Sequence, residues 1–255
     1  MLIASLDTST LTLSCALCEI ARGEVRLIAE RTERAPAKPG PQGPTGGHGG
    51  RLPGALSDLL VAVGKKLADV EGYAVGLGPG SFTGLRIGLA TWKGLAYANR
   101  RPIAGASSLA AMALAAAPGA GEDAVLVPLL DAKKGEVYAG FYRTARDGVV
   151  AAAADAAVAP AALAERLASL GAPSRPAAFG EGLRAYGDAL AAVPALTNGV
   201  ETPPALAVAR LCAAELEGAV YDAAKLFALE PHYVRASEAE IKFPHGLGAG
   251  ATKPR

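Results

Sequence analysis

The segment from Val75 to Asn99 reads VGLGPGSFTGLRIGLATWKGLAYAN and indicates the type of fold more clearly than any other part of the chain. Its short apolar run stops at Gly78-Pro79-Gly80, and the residues that follow place apolar side chains at helical spacing up to the stop signal at 99–102. Glycine and proline at such positions are typical of a break between two elements. The segment therefore predicts a buried strand, a tight turn and a long helix, which together form a unit of an α/β protein.

The glycine loop at 78–80 allows a phosphate-binding interpretation. Glycines expose backbone amides at a helix N-terminus, where the helix dipole favours an anion. However, no Lys-Ser/Thr pair follows Gly84, so the loop does not match the P-loop pattern, and its glycine spacing misses the dinucleotide fingerprint. The loop is therefore only a weak phosphate signal.

Three glycines, Gly80, Gly84 and Gly88, recur every four residues and so share one face of the predicted helix. Glycine inside a helix costs roughly 1 kcal/mol relative to alanine, so their presence needs a reason. An apolar stripe on another side of the helix is available to cover the sheet. We therefore expect the glycine face to meet the backbone of a neighbouring helix or subunit.

The composition limits the classes of function. The 255 residues carry a formal net charge of +1, so no strong overall field draws the chain onto nucleic acid. Hydrophobic residues make up 51% of the chain, yet no apolar run reaches the ~18 residues of a membrane span. The first residues lack the pattern of a secretory signal peptide. These features predict a cytoplasmic protein without a membrane partner.

The three cysteines, Cys15, Cys18 and Cys212, are an odd number and build no disulfide framework. Cys15 and Cys18 have the spacing of a redox motif, but they lie in a segment that alternates like a strand. Alternation points the two thiols to opposite faces. We therefore predict that both cysteines are buried structural residues.

The residues at 78–91 and 93–96 resemble the signature of the TsaB (YeaZ) family, the non-catalytic subunit of bacterial tRNA threonylcarbamoyladenosine (t6A) synthesis. Four other segments lie where that family has them. They are Leu6 to Thr10, Gly105 to Leu109, Asp131 to Tyr138 and Pro231 to Arg235. The resemblance covers about residues 1–235 and departs from the family at 34–50, where the chain is rich in proline and glycine.

The order of predicted elements indicates two copies of one lobe. Leu2 to Asp7 parallels Leu126 to Asp131, and each run ends in an aspartate and a hairpin turn. Strands are predicted at 2–6, 11–20, 24–32, 73–77, 103–105, 125–130, 137–142, near 149 and at 177–179. Helices are predicted at 52–67, from the break at 78–80 to Asn99, and at 107–117, 160–170, 182–192 and 204–217. The pattern is therefore a repeated βββαβα unit.

The resemblance implies an α/β fold with two RNase H-like lobes of the actin-like ATPase superfamily, each a mixed sheet flanked by helices. The first lobe is expected at 1–105, with a flexible Pro/Gly loop at 34–50. The second is expected at 106–235, with the helix at 204–217 packing back on the first lobe. The tail at 243–255 is expected to be disordered.

The resemblance also implies a function. It predicts a subunit that is not an enzyme on its own and that binds and activates a TsaD-like catalytic subunit. That subunit transfers threonylcarbamoyl to N6 of adenosine 37 in tRNAs that read ANN codons. Other implied partners are a TsaE-like ATPase and tRNA, both reached through the complex, and a second copy of the chain in a homodimer.

The family pairs its first long helix and its signature helix with the same helices of the partner. Helices that cross closely bury mainly apolar side chains around small residues. The predicted interface residues are Leu56, Leu60, Val63, Gly84, Ile87, Gly88, Thr91 and Leu95.

In the actin-like group two hairpins hold phosphates, and their aspartates serve a metal ion or water. Here neither hairpin has a glycine-rich cradle. The residues left for nucleotide or anion contact are Asp7, Ser9, Gly78, Gly80, Ser81, Asp131 and Lys133. A purely structural role of Asp7 and Ser9 in their turn stays open. The resemblance implies no cofactor for the chain alone, and ATP or ADP with Mg²⁺ only in the complex with a partner.

Catalytic groups are missing from the sequence. TsaD carries two metal-binding histidines on the helix after a Pro-x-x-Gly strand, and the equivalent positions here are Ser108 and Met112. Neither side chain is a suitable ligand for iron or zinc. We therefore predict no catalytic and no metal-binding residue. Two alternatives remain, a free-standing actin-like ATPase or sugar kinase and, less favoured, a glycoprotease-like peptidase.

Overall fold

The computed structural model describes residues 1–34, 48–120, 124–146, 148–170, 175–196 and 200–235. Most of the predicted Pro/Gly loop at 34–50 lies outside the described residues, as does the whole predicted tail at 243–255. At the ends of that loop, Arg34 closes a strand and His48 begins a helix.

Strands and helices alternate as in the predicted repeat. The strands are β1 (Leu2–Asp7), β2 (Thr12–Ala21), β3 (Glu24–Arg34), β4 (Gly72–Gly76), β5 (Ile103–Ala106), β6 (Ala124–Lys133), β7 (Glu136–Ala145), β8 (Gly148–Val158) and β9 (Arg175–Phe179). The α-helices are α1 (His48–Ala62), α2 (Phe82–Asn99), α3 (Ser108–Ala116), α4 (Leu163–Ala168), α5 (Glu181–Ala185), α6 (Ala205–Leu216) and α7 (Ala223–Ala228).

The strands form two mixed sheets of the same design. The first has the order β3-β2-β1-β4-β5, with an antiparallel β1-β2-β3 meander and with β4 and β5 parallel to β1. The second has the order β8-β7-β6-β9, again with one meander and one parallel strand. A single parallel bridge from Ala178 to Ala195 extends it on the β9 side, where the first sheet has β5. The predicted duplication and the actin-like fold class are confirmed.

Helices cover both faces of each sheet. One core joins α1, α2 and α7 to one face of the first sheet, and a second core joins α6 to its other face. Helix α3 contacts α6 and packs on the second sheet, whose far face is covered by α4. The layers thus run from α1 and α2, through the first sheet, α6 with α3 and the second sheet, to α4. No helix in the described part of the chain has the length and hydropathy to cross a bilayer.

Helix ends follow local backbone chemistry more closely than apolar spacing. The periodicity predicted that the first helix would continue to residue 67, but α1 ends at Ala62. Gly64 adopts a left-handed φ of +66°, and the amide of Lys65 donates to Leu60 O at 2.9 Å, which is a typical helix C-terminus. The helices predicted at 160–170 and 182–192 are also shorter, and each is split into an α-helix and a 3-10 turn.

The two cysteines of β2 confirm the strand interpretation. Cys15 belongs to the core under α1 and α2, whereas Cys18 belongs to the core under α6. Burial raises the pKa of each thiol to about 12. Both thiols are therefore protonated and unreactive at neutral pH.

Gly84 and Gly88 face the chain's own sheet, not a partner. A Cβ on Gly88 would lie 2.2 Å from Thr8 Oγ1, and that hydroxyl donates to Gly84 O at 2.9 Å. The close approach inferred from the glycine spacing exists, but the group that comes close is the residue after β1. These two glycines are consequently removed from the predicted partner interface, because no partner can reach them.

Asp7, at the end of β1, joins the first hairpin to α3. Its side chain is 1% exposed. Oδ1 accepts from the amide and hydroxyl of Ser9 at 2.8 and 2.6 Å, and Oδ2 accepts from Ser108 Oγ at 2.6 Å. Burial raises the pKa of Asp7 above its ordinary 3.8, although the hydrogen bonds from Ser108 and Ser9 oppose the shift. Asp7 therefore has the structural role that the sequence left open.

Alanine substitutions on α2 test the placement of its glycines. A Cβ at Gly94 would meet nothing within 4 Å. We expect Gly88→Ala to lower the free energy of unfolding by about 1–3 kcal/mol through overpacking. On the same helix Gly94→Ala is expected to raise it by about 0.5–1 kcal/mol. Urea denaturation of both variants measures the difference, and equal effects would contradict the packing of α2 on β1.

The raised pKa of Asp7 gives stability a defined pH dependence. The stabilisation that comes from protonated Asp7 is fully present below 3.8, the pKa of the carboxyl in the unfolded state. It is lost as the pH rises through the higher pKa of the folded state. Asp7→Asn keeps a hydrogen-bonding amide but does not titrate. We expect wild type to lose stability relative to Asp7→Asn as the pH rises above 3.8 toward the raised pKa of the folded state. Denaturation at several pH values measures this, and a constant difference would contradict it.

Candidate functional site

A cleft of about 740 Å³ opens between the β1–β2 hairpin of the first lobe and the β6–β7 hairpin of the second. Five of the seven residues predicted to contact a nucleotide or anion line it together: Ser9, Gly80, Ser81, Asp131 and Lys133. The other two, Asp7 and Gly78, are buried outside the cleft lining. The sequence motifs therefore include residues from both walls of the cleft.

The first-lobe wall is closed by its own hydrogen bonds. The amide of Ser81 donates to Ser9 O at 2.6 Å, and Ser81 Oγ accepts from the amide of Gly84 at 3.2 Å. A Cβ on Gly80 would lie 2.3 Å from Ser9 O, so the glycine loop rests directly on the hairpin. These two amides, which a phosphate would need, are occupied within the chain.

The second-lobe wall is centred on Asp131. Its oxygens accept from the amide of Lys133 at 2.8 Å, from Lys133 Nζ at 2.5 Å and from the hydroxyl of Tyr186 at 3.2 Å. Partial burial alone would raise the pKa of Asp131, but the bonds from Lys133 and Tyr186 outweigh burial and lower it. Asp131 is therefore ionised and paired with a lysine.

The actin-like fold implies a nucleotide with Mg²⁺ between the lobes, and the residues present do not fit that group. Both oxygens of Asp7 are occupied by serines, and Asp131 is neutralised by Lys133. Within the described ranges, no group of three His, Cys, Asp or Glu side chains is placed to hold a metal ion. Mg²⁺ prefers a site with carboxylate oxygens left open for it, and neither aspartate has them.

Positive charge prevails on the cleft wall. Two acids, Asp131 and Glu181, face a larger number of cations. The cations are Arg34, Lys133, Lys134, Arg184 and Arg235. Two of them pair with acids beside the cleft, Arg184 with Glu201 at 2.9 Å and Arg235 with Glu136 at 2.7 Å. Burial raises the pKa of Glu181.

Sequence reasoning missed four of these five cations. Lys134 stands next to a residue that was identified, so its motif did carry a signal. Arg34, Arg184 and Arg235 come from three distant segments, and only the tertiary fold brings them together.

Aromatic side chains form the mouth of the cleft. Phe82, the first residue of α2, stacks on Tyr233 with ring centroids 5.2 Å apart. The guanidinium of Arg86 lies 3.9 Å from the centre of the Phe82 ring and donates to the hydroxyl of Tyr233 at 3.0 Å. The amide of His232 donates to Leu77 O at 2.7 Å. The C-terminal segment is thereby fixed against the start of α2.

The predicted partner-interface residues divide into two groups. Leu56 and Leu60 are only 4% and 5% exposed and belong to the core of the first lobe. Like Gly84 and Gly88, they cannot be reached by a partner. The remaining four predicted interface residues are half-buried: Val63, Ile87, Thr91 and Leu95.

The outward sides of α1 and α2 carry stripes of small, uncharged residues. We call the two stripes together the α1–α2 face. It consists of Gly50, Gly54, Ser57 and Val61 on α1, and of Thr83, Ile87, Ala90 and Gly94 on α2. All are exposed except Ile87, which is half-buried, and the two helices pack side by side. Their spacing places each set on one side of its helix. This face lies on the opposite side of the first sheet from α6.

Comparisons with known proteins agree with this architecture. The sequence model of the family described as "TsaD: tRNA N6-adenosine threonylcarbamoyltransferase" matches residues 41–243. Two curated relatives are tRNA threonylcarbamoyladenosine biosynthesis proteins TsaB. The one from Escherichia coli is 33% identical over 58% of this chain and 58% of its own length. The one from Bacillus subtilis is 34% identical over 56% of each. The chain thus spans somewhat over half the length of the curated relatives it matches.

A solved structure matches over a greater length. YeaZ from Pseudomonas aeruginosa superposes with a TM-score of 0.69 and 28% sequence identity, covering 91% of this chain and 99% of that one. The matched family model covers well over half of the chain, and the curated and structural relatives agree on the type of protein within the family. The chain therefore belongs to the TsaD family, as a protein of the TsaB/YeaZ type.

Proposed function

We propose that this chain is a non-catalytic subunit of tRNA t6A synthesis. It binds a TsaD-like catalytic subunit through the α1–α2 face and activates it for transfer of threonylcarbamoyl to N6 of adenosine 37 in tRNAs that read ANN codons. The names of the curated relatives support a role of this chain in t6A synthesis. The observation that carries the docking role is the pair of uncharged outward stripes on α1 and α2.

Two glycines in the α1–α2 face have no explanation within the chain. A Cβ on Gly54 or Gly94 would meet nothing within 4 Å among the described atoms, so neither glycine is required by the packing of its own lobe. Each costs roughly 1 kcal/mol of helix stability relative to alanine. A partner helix that crosses close to α1 and α2 accounts for both, since small residues let helix axes approach.

The side chains around these glycines suit burial in an interface. Val61 is 75% exposed, and covering a valine of this kind contributes about 1.5 kcal/mol. The nearest charged side chains, such as Asp58 and Lys93, lie at the flanks of the stripes. An uncharged centre with a polar rim is the usual anatomy of a protein–protein interface.

A non-catalytic role is supported by the packing of α3. Ser108 and Met112, which stand where TsaD has its metal-binding histidines, are both fully buried. Ser108 Oγ is used to donate to Asp7 and to accept from the amide of Gly78. We infer that the partner holds the ATP or ADP with Mg²⁺ used by the complex.

The other members of the assembly follow from the same proposal. A TsaE-like ATPase and tRNA reach this chain through the partner, and the setting is the cytoplasm. A second copy of the chain would use the same α1–α2 face, so a homodimer and the complex with the partner would exclude each other.

Gly94→Arg tests the docking face without disturbing the fold. Arginine is a better helix former than glycine, so stability is expected to hold or to rise by about 0.5–1 kcal/mol. In the complex the unpaired charge would be buried, which costs about 3–5 kcal/mol and corresponds to at least ~100-fold weaker binding. Co-purification with the TsaD-like subunit and the t6A content of tRNA in cells measure the effect.

Ala214→Arg is the matched control, because Ala214 is an exposed position on α6, on the other side of the first sheet. It adds the same charge to an exposed helix and is expected to leave binding unchanged. Wild-type affinity of Gly94→Arg for the partner would refute docking through the α1–α2 face. Sedimentation of the isolated Gly94→Arg variant tests in the same way whether a homodimer uses the α1–α2 face.

A further inference from the structure

We propose that His232 and Asp155 form a pH-sensitive latch, which fastens the segment Pro231–Arg235 across the two lobes when the imidazole is protonated. We call this segment the strap. Neither latch residue belongs to the α1–α2 face or to the lining of the cleft. The proposal therefore does not depend on docking through that face.

The strap is anchored on the first lobe. The amide of His232 donates to Leu77 O at 2.7 Å, and the ring of Tyr233 stacks on Phe82. Two side chains of the strap, those of His232 and Arg235, extend to the second lobe. Their contacts therefore decide how firmly the strap holds the lobes together.

The side chain of Asp155 is a carboxylate buried beneath the strap. It is 4% exposed. Oδ1 accepts from the hydroxyl of Tyr142 at 2.7 Å, and Oδ2 accepts from Ser107 Oγ at 2.8 Å. Both donors are uncharged, whereas a carboxylate removed from water is best stabilised by an opposite charge. Among the described residues, Asp155 makes its ion pair with His232, whose Nδ1 lies 4.0 Å from Oδ2.

An irregular edge strand turns Asp155 inward. The register of β7 against β8 shifts between Ala139 and Phe141, so that two residues of β8 lie opposite Gly140. Such a bulge redirects a side chain. A Cβ on Gly140 would lie 2.5 Å from the ring of Tyr142 and 3.1 Å from Asp155 Oδ1. The glycine therefore leaves the space in which these two side chains meet.

His232 gives this cluster its sensitivity to pH. Histidine is the side chain whose charge normally changes between about pH 5 and 8. Burial raises the pKa of Tyr142, and the charge of Asp155 raises it further, so Tyr142 stays protonated and donates throughout this range. The hydroxyl of Ser107 does not titrate there either.

The other charged groups around the strap do not replace His232. Arg235 Nη1 faces Glu136 Oε2 at 2.7 Å, and the guanidinium of Arg86 lies over the ring of Phe82. Glu230, the acid immediately before the strap, is exposed to solvent. The charge that answers Asp155 is therefore the one that His232 gains on protonation.

The separation of 4.0 Å leaves room for the latch to close. It exceeds the length of a hydrogen bond, so the neutral imidazole holds Asp155 weakly. An imidazolium is attracted to the carboxylate, and Oδ2 has a second lone pair beside the one used by Ser107. Because the pair forms with protonated His232, closure is favoured at low pH and is lost as the pH rises.

Hydrogen exchange at the amide of residue 232 measures how often the strap opens, since this amide is bonded to Leu77 O. His232 is 51% exposed, so solvent screens the attraction and the effect is modest. With intrinsic exchange rates divided out, we expect protection in the full chain to be about threefold higher at about pH 5.5 than at about pH 8.

Three variants test the pair. His232→Gln and Asp155→Asn each remove one charge and are expected to abolish the difference in protection between the two pH values. His232→Lys carries its charge at both pH values. It is expected to keep at pH 8 the protection that wild type shows only at the lower pH.

Glu136→Gln is the matched control on the same strap, because it breaks the pair with Arg235, which does not titrate in this range. We expect it to lower protection by the same factor at both pH values. Protection in wild type that does not change with pH would overturn the latch, as would a change that persists in Asp155→Asn. Thermal melting shows whether each variant is folded, and His232→Gln, which alters a half-exposed side chain, decides the matter if Asp155→Asn is not.

Discussion

The structure depends on the contact of α2 with β1. Thr8 Oγ1 donates to the carbonyl of Gly84 and lies 2.2 Å from the point where a Cβ on Gly88 would stand. One turn further on, the indole Nε1 of Trp92 donates to Ala4 O at 3.1 Å. No side chain larger than hydrogen fits at Gly88, so this contact fixes how the helix lies on the sheet.

The same contact determines both functional surfaces. Because the glycines of α2 face inward, the residues about half a turn away face outward and form part of the α1–α2 face. Because the start of α2 is held against the first hairpin, Ser81 and Gly80 close on Ser9 and leave no open phosphate loop. The fold of an actin-like lobe is thus retained while the hydrogen-bonding groups that would hold a nucleotide are used to stabilise it.

Much of this was predictable from the sequence, because local chemistry specifies it. The strand, turn and helix at 75–99, the duplication, and the opposite placement of Cys15 and Cys18 all follow from spacing. Spacing does not specify which neighbour a helical face meets, and so Gly84 and Gly88 were assigned to a partner when Thr8 occupies that side. The end of α1 depended on the left-handed φ of Gly64, while the cations of the cleft depended on tertiary folding.

Helix α2 belongs to the cleft and to the docking face at once. Its 18 residues extend about 27 Å at 1.5 Å per residue. Phe82 and Arg86 at its start hold Tyr233 at the mouth of the cleft, and Gly94 near its end lies in the outward stripe. Tyr233 belongs to the segment whose Arg235 pairs with Glu136 of the second lobe. The segment that pairs with the second lobe at the cleft is therefore held by the same helix that presents the α1–α2 face, so the position of α2 on β1 affects the geometry of both.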